Sequence, residues 1–519
     1  MKEYVVVAND ADSIDSVHKE LTTSYSSDTI PDRIVTVADA KPLNDRITNY
    51  MLTDAEALAL NDDSRVEAVH LKPDPKMAKP FTVLNLTETP ITWDNRAGNF
   101  NRSGFNNQNV NWGLRRTSQV TTEKTIGTTY QYDVDGTGVD IVIMDDGVQS
   151  NHPEFLNAQG VSRVQEINWY TAAGVSGTMP TGFYNYNTYG DAEHGTHVAA
   201  IACGKTYGYA KNSNIYSLRI FDDGSGTKCF DPSLAFDLLK LWHQRKGTSR
   251  PTIVNMSWGY AWYYTGDSNR PAWKTLTAIN YRGKLTNYSK PTNTQISNGM
   301  VGSLHGFRVP SIDAQVTDGE AVGIIYCSAA GNYGHKVDVS GGPDYNNYYK
   351  LPFSNIEPAG QPTYYHRGSS PRGTIQVSSA DASTVKSGTV LNEILAYYSE
   401  RGPGCDVVSP GTNISSATSL NTGFSSFSYQ FGTQAQINNK ATTISGTSMA
   451  TPQVTGVCAL YLQRNPTKTP AQVKAWLIAK SKSNQVKTST KTDDWTNNQA
   501  LLGGPNRYLY NPYHGGYTD

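Results

Sequence analysis

The chain has 519 residues, 37% of them hydrophobic, enough for one large domain with a smaller companion and a sizeable core. Its 44 Lys and Arg against 45 Asp and Glu leave a net charge of −1, which removes the electrostatic argument for nucleic acid or an anionic membrane as partner. No stretch approaches the ~18 consecutive apolar residues of a membrane span, and the five cysteines are odd in number, scattered and set in apolar contexts, so reduced thiols are expected.

In chain order, residues 1–75 read as a self-contained unit. Tyr4–Ala8 has the β-branched composition of a strand, and Ser13–Leu21 places Ile14, Val17 and Leu21 on one helical face. Arg33–Val37 and Asn49–Leu52 read as the next two strands. Thr53 and Glu56 have capping-box spacing ahead of a second helix, and R-V-E-A-V-H-L closes the unit. This β-α-β-β-α-β order predicts a small ferredoxin-like α+β domain. Three prolines in Lys72–Pro80 and seven asparagines between Asn95 and Asn111 predict an exposed linker over 76–111. From Trp112 to residue 519, strands expected at Gly138–Met144, Ile215–Phe221, Thr252–Met256, Val322–Ser328 and Thr374–Ser378 alternate with helices starting near His194, Ser233, Ser448 and Thr469. That alternation predicts an α/β domain with a mainly parallel sheet and helices on both faces.

Chemistry is expected where such strands end. V-D-I-V-I-M runs into Asp145, Asp146 and Gly147. D-A-E-H-G-T-H opens a helix at His194, with His197 one turn on packing into the core. A His-x-x-His pair without a Glu after the first His does not have zinc-protease spacing, so no metal is expected there. In S-G-T-S-M-A-T-P, Ser448 stands at a helix N-terminus, where free amides favour a developing oxyanion. An acid, a base and a nucleophile follow one another along the chain.

D-D-G-V-Q-S-N-H-P-E-F, H-G-T-H-V-A and S-G-T-S-M-A-T-P resemble the three signature blocks of the subtilisin-like serine proteases, in that family's order. The resemblance implies a subtilisin-like fold over 112–519 and a serine endopeptidase acting through Asp145, His194 and Ser448. It implies Asn332 of S-A-A-G-N and the Ser448 amide as oxyanion donors. Ser257, Trp258 and Gly259 would line the substrate groove with Ala330 and Gly331. Residues 1–75 would be an inhibitory propeptide removed by self-cleavage between Pro75 and Val110, with Arg115-Arg116 kept inside the mature fold. The expected partners are protein or peptide substrates and the chain's own N-terminal domain. No cofactor is needed for the chemistry, while Glu154 matches a position that is often a calcium-ligating Asp, so a structural calcium is conceivable.

The D-D-G form resembles the kexin and furin branch, and Asp338 and Asp344 are candidate acids for basic substrates. Against that, the groove strand S-W-G-Y-A-W-Y-Y is aromatic and predicts apolar or aromatic preference. Much of 260–312 reads as an insertion beside the groove, and Gln453 stands where a His is common. The apolar run in M-K-E-Y-V-V-V-A-N-D is too short for a signal-peptide core, so a cytoplasmic or virus-encoded protein is expected rather than an exported one. The alternative function is a virion or surface component that uses the protease fold as a binding scaffold.

Overall fold

The first 71 residues supply β1 (Lys2–Ala8), α1 (Ala11–Leu21), β2 (Val37–Asp39), β3 (Ile47–Leu52), α2 (Asp54–Asn61) and β4 (Val66–Leu71). The computed structural model describes all residues except 41–42, 83–110, 119–129, 131, 223–226, 264–277, 288–291, 301–303, 351–361, 382–393, 432–433, 488–499 and 515–519. The antiparallel order β2-β3-β1-β4 is that of the expected ferredoxin-like unit. Asp10 caps α1, whose Ile14, Val17 and Leu21 are buried, and Thr53 and Glu56 form the predicted capping box. The second strand lies later than Arg33–Val37. Arg33 instead turns back onto Glu56 at 2.6 Å and the Met51 carbonyl at 3.0 Å, holding its stretch outside the ladder.

Strand alternation gives this sheet two apolar faces. Tyr4, Val6 and Ala8 pack with the two helices, whereas Val5, Val7 and Ile47 meet Ala314 on the helix Pro310–Ala321 of the larger unit. Around that contact Arg46 reaches Asp318 and the Ala314 carbonyl, each at 3.1 Å, and Asn44 reaches Asp237 at 2.8 Å. The ring of His70, on the same face, accepts a hydrogen bond from the Ser311 amide at 3.4 Å.

The larger unit is built on a ten-stranded sheet. From one edge run β7 (Val164–Gln165), β8 (Asn214–Arg219), β6 (Asp140–Asp145) and β9 (Thr252–Met256), followed by Ile325–Ala329, Ile375–Asp381 and Val407–Pro410, all parallel. Along β6, Ile141 and Ile143 join the core under the helices Glu193–Cys203 and Thr447–Arg464, and Val142 and Met144 join the core under Pro232–Arg245 and Pro310–Ala321. Both faces are covered, so the strand is buried throughout, as a parallel sheet requires.

Two expectations are corrected. The segment from residue 76 is not exposed linker at its start. Ala78–Pro80 forms β5, antiparallel to β10 (Trp258–Tyr263), with Ala78 opposite Tyr260 and Pro80 opposite Trp258. Met77, Ala78 and Phe81 are buried. Backbone pairing to a free strand edge needs no apolar periodicity, so composition did not reveal it. The rest of the expected linker, 83–110, lies outside the described residues. The insertion at 260–312 also ends earlier than expected, because Pro310 opens a helix of the sheet's outer layer. Its described elements are the remainder of β10, the partner strand Leu304–Phe307, a hairpin of Ala278–Tyr281 with Lys284–Asn287, and the short helix Asn293–Ser297. Arg116 is fully buried in the helix Gly113–Thr117 with its guanidinium 4.2 Å over the Tyr508 ring, inside the larger fold as expected.

Candidate active site

Asp145 ends β6, and its Oδ1 accepts from the Asp146 amide and pairs with His194 Nδ1, both at 2.8 Å. His194 stands in the first turn of Glu193–Cys203. No side chain at the N-cap, Ala192, caps that helix; Asp146 does so instead, accepting the His194 amide at 3.0 Å and the Gly195 amide at 2.6 Å. The second acid of D-D-G therefore fixes the helix that carries the imidazole. The approach is close enough to demand glycine at 195, where a Cβ would stand 2.0 Å from the Gly147 carbonyl oxygen. Burial and the neighbouring Asp145 charge push Asp146 above its ordinary range. Burial alone would lower His194, but Asp145, Asp146 and Glu193 outweigh it and hold the ring above its ordinary value. Burial keeps His197 neutral at about 3, with its Nε2 on the Thr442 carbonyl, in the core as expected.

Ser448 occupies the first turn of Thr447–Arg464. Its hydroxyl donates to the Ser257 carbonyl at 2.7 Å, while His194 Nε2 is buried without a partner among the described residues. The Ser257 hydroxyl donates in turn to the Ser448 carbonyl at 2.9 Å. Asn332 accepts the Thr447 amide and hydroxyl through Oδ1, leaving Nδ2 buried and unpartnered. Ala330 donates to the Val377 carbonyl, and the Gly331 amide donates to the Thr447 hydroxyl, so the S-A-A-G-N loop is tied to sheet and helix at once.

The chain itself occupies this site. The Phe81 carbonyl accepts the Ser448 amide at 3.2 Å, and the Phe81 amide donates to the Ser257 carbonyl at 3.1 Å. A Cβ built on Gly446 would meet the Phe81 oxygen at 2.1 Å and Asn332 Nδ2 at 3.1 Å, which puts both beside one point. The Phe81 ring lies against Gly259 and edge-on to Tyr333 at 5.7 Å. Trp258 backs the groove strand, packed among Phe221, Phe236 and Tyr260. Phe81 was missed in the sequence because nothing in K-P-F-T marks a ligand.

Other candidates have different work. Glu154 is buried and its Oε2 accepts the Thr206 and Tyr207 amides at 2.8 and 3.1 Å, which anchors the loop after the His194 helix. No group of three or more His, Cys, Asp or Glu among the described residues is arranged to hold a metal ion. Asp344 pairs with Arg282 at 2.7 Å and Lys336 at 2.7 Å, and Asp338 also faces Lys336, so neither acid stands free for a basic substrate. Gln453 clamps Asn111, Tyr209 and the Pro410 carbonyl.

No helix among the described residues is long and apolar enough to cross a membrane. The sequence model of the subtilase family matches residues 136–499, a stretch that contains Asp145, His194, Asn332 and Ser448. An alkaline proteinase of Hapsidospora chrysogena is 27% identical over 455 residues, 87% of this chain and 78% of that protein. Alkaline serine exoprotease A of Vibrio alginolyticus is 26% identical over 386 residues, 73% of this chain and 48% of that protein. Among solved structures, fervidolysin of Fervidobacterium pennivorans, a keratinolytic enzyme related to subtilisin, is 21% identical with a TM-score of 0.49, covering 97% of this chain and 60% of that one. With the family matched over most of its length, the chain belongs to the subtilase family of serine proteases.

Proposed function

We propose that the protein is a serine endopeptidase made as a self-inhibited precursor, with Ser448 as nucleophile, His194 as general base and Asp145 as the group that orients the imidazole. The Asp145 contact at Nδ1 leaves Nε2 as the free acceptor. Catalysis requires the Ser448 hydroxyl to leave the Ser257 carbonyl and donate to that nitrogen. Attack on a peptide carbonyl then gives a tetrahedral oxyanion facing the Ser448 amide and Asn332 Nδ2, His194 passes its proton to the leaving amine, and water releases the acyl group. Replacing Asn332 with Leu is expected to lower kcat by about two to three orders of magnitude with little change in KM. An unchanged kcat removes it from the oxyanion site.

The observation that carries this reading is the seat of the Phe81 carbonyl on the Ser448 amide, at the end of a strand paired to the groove. On this reading Phe81 is the P1 residue, the one whose carbonyl is attacked, and Phe81–Thr82 is the bond that is cut. Because the tail is tethered to the site it blocks, its effective concentration is high and the uncut chain is nearly inactive. Mass spectrometry tests the bond. Incubated wild-type protein is expected to yield a new N-terminus at Thr82, and Ser448→Ala protein to stay whole. A cut elsewhere, or a cut in Ser448→Ala, overturns the assignment.

Docking carries a pH dependence of defined sign. Burial against the larger unit holds His70 at about 4, below its ordinary 6.5. Between those values the docked state binds fewer protons than the released one, so docking is at full strength above pH 6.5 and weakens as pH falls towards 4. Inhibition of the processed enzyme by its own N-terminal fragment is expected to weaken at least about tenfold from pH 7.5 to 5. An inhibition constant that does not move over that range refutes the role of His70.

A further inference from the structure

Behind the Phe81 ring lies a group of polar atoms that the chemistry above does not use. A Cβ on Gly259 would stand 2.5 Å from Phe81 Cζ and 2.9 Å from Ser369 Oγ. From Gly306, a Cβ would meet that same Oγ at 3.2 Å and Glu400 Oε1 at 3.4 Å. On Gly331, next to the oxyanion residue and at φ 125°, it would meet the Glu400 carboxyl carbon at 2.6 Å. The Glu400 amide donates to the Gly331 carbonyl at 2.8 Å and fixes the residue there. The tip of the ring, Ser369 and Glu400 thus follow one another down a single glycine-walled slot.

Both polar groups are buried, Glu400 at 1% exposure and Ser369 at 4%, and with phenylalanine in the slot Glu400 Oε2 and Ser369 Oγ have no hydrogen-bond partner among the described residues. Arg401, beside Glu400 in sequence, turns its guanidinium to the carbonyls of Ser399, Ala396 and Tyr397 instead. A buried carboxyl without a partner is costly, and such groups in native proteins have a reason to be there. Ser369 Oγ lies beside Phe81 Cζ across Gly259, and Glu400 follows Ser369 across Gly306.

We propose that Glu400 and Ser369 form the floor of the P1 pocket and select tyrosine there, a flat ring that ends in a hydroxyl. The inference rests on the reading of Phe81 as the P1 residue. Burial drives the Glu400 carboxyl well above its ordinary range, only partly offset by Arg401, so it meets the phenol as a neutral acid able to accept or donate. A site built to satisfy a substrate hydroxyl discriminates against the analogue that lacks it, because its own groups are then left unpaired. The slot holds Phe81 all the same, because the tethered tail does not depend on this contact for its place.

The test uses the self-processed full chain and matched peptide anilides that differ only in P1: tyrosine, phenylalanine, 4-methylphenylalanine and lysine. The expected kcat/KM is about 10- to 100-fold higher for tyrosine than for phenylalanine, and at least as much higher than for 4-methylphenylalanine, which has the length but no donor. In Glu400→Met the tyrosine-to-phenylalanine ratio is expected to fall close to one, and Glu400→Gln to keep part of it. Phenylalanine or lysine at or above tyrosine, or an unchanged ratio in Glu400→Met, overturns the assignment. If Glu400→Met does not fold, Ser369→Ala and the wild-type comparison with 4-methylphenylalanine decide. Hydrolysis without a tyrosine preference defeats the Glu400 floor alone. No hydrolysis of any peptide defeats the protease site beneath it, and the floor with it.

Discussion

Ser448→Ala and His194→Ala are each expected to lower peptide hydrolysis by about four to six orders of magnitude, and Asp145→Asn by about four. The asparagine is the informative change. Asp145 Oδ1 now accepts from both the Asp146 amide and His194 Nδ1. An amide in its place presents N–H as readily as C=O, so the imidazole is free to flip to the tautomer that carries its proton on Nε2. That tautomer cannot take the Ser448 proton. Initial rates on a P1-aromatic peptide, together with labelling by a fluorophosphonate, check the set. Asp145→Asn protein that keeps its rate removes Asp145 from the mechanism, and undiminished labelling in Ser448→Ala removes Ser448.

The second large effect is on stability. Arg219, at the end of β8, pairs with Asp191 at 2.6 Å, both groups fully buried, and Lys228 supplies a second cation to Asp191 at 3.0 Å. Arg219 also donates to the Asn185 carbonyl at 3.1 Å. Asp191 precedes Ala192, which takes a left-handed φ of 55°, and Glu193, where the His194 helix starts. Asp191→Ala leaves a buried guanidinium without its anion and is expected to cost about 3–5 kcal/mol, with a fall in kcat as the helix start shifts. Denaturant titration measures it. The double change Asp191→Leu, Arg219→Met removes both charges and is expected to be the more stable of the two variants. A single variant as stable as wild type would show that the pair does not hold this loop.

The sequence carried the elements that follow from periodicity and capping. The Thr53–Glu56 box, the helices opening at Glu193, Pro232, Thr447 and Pro470, and β9 at Thr252–Met256 lie where their patterns put them. Asp145 and His194 were legible because each sits at the boundary of a strongly patterned element. What stayed hidden depends on pairs far apart in the chain. Phe81 reaches Ser448 through a backbone amide, and a backbone contact leaves no side-chain signature. Glu400 reads as one more polar residue in Y-Y-S-E-R-G-P until folding sets it behind Gly331. Asp146 drew notice through the resemblance of D-D-G to the kexin and furin branch, and its role as a helix cap is visible only once the His194 amide is seen to point at it.

β10 is flanked by Leu304–Phe307 on one side and by the tail strand Ala78–Pro80 on the other. If the tail leaves as proposed, β10 becomes an open sheet edge, with a row of backbone donors and acceptors facing outward. On the proposed reading, an extended substrate chain is expected to bond to that row whatever its side chains, with discrimination left to the pocket at the strand's end. The same edge exposes the enzyme to its own kind. A partly unfolded copy offers the extended strand that the groove accepts, and at high concentration self-digestion and edge-to-edge association compete for it. On the proposed reading, the docked N-terminal unit is expected to act as a cover on an adhesive edge as well as a brake on catalysis.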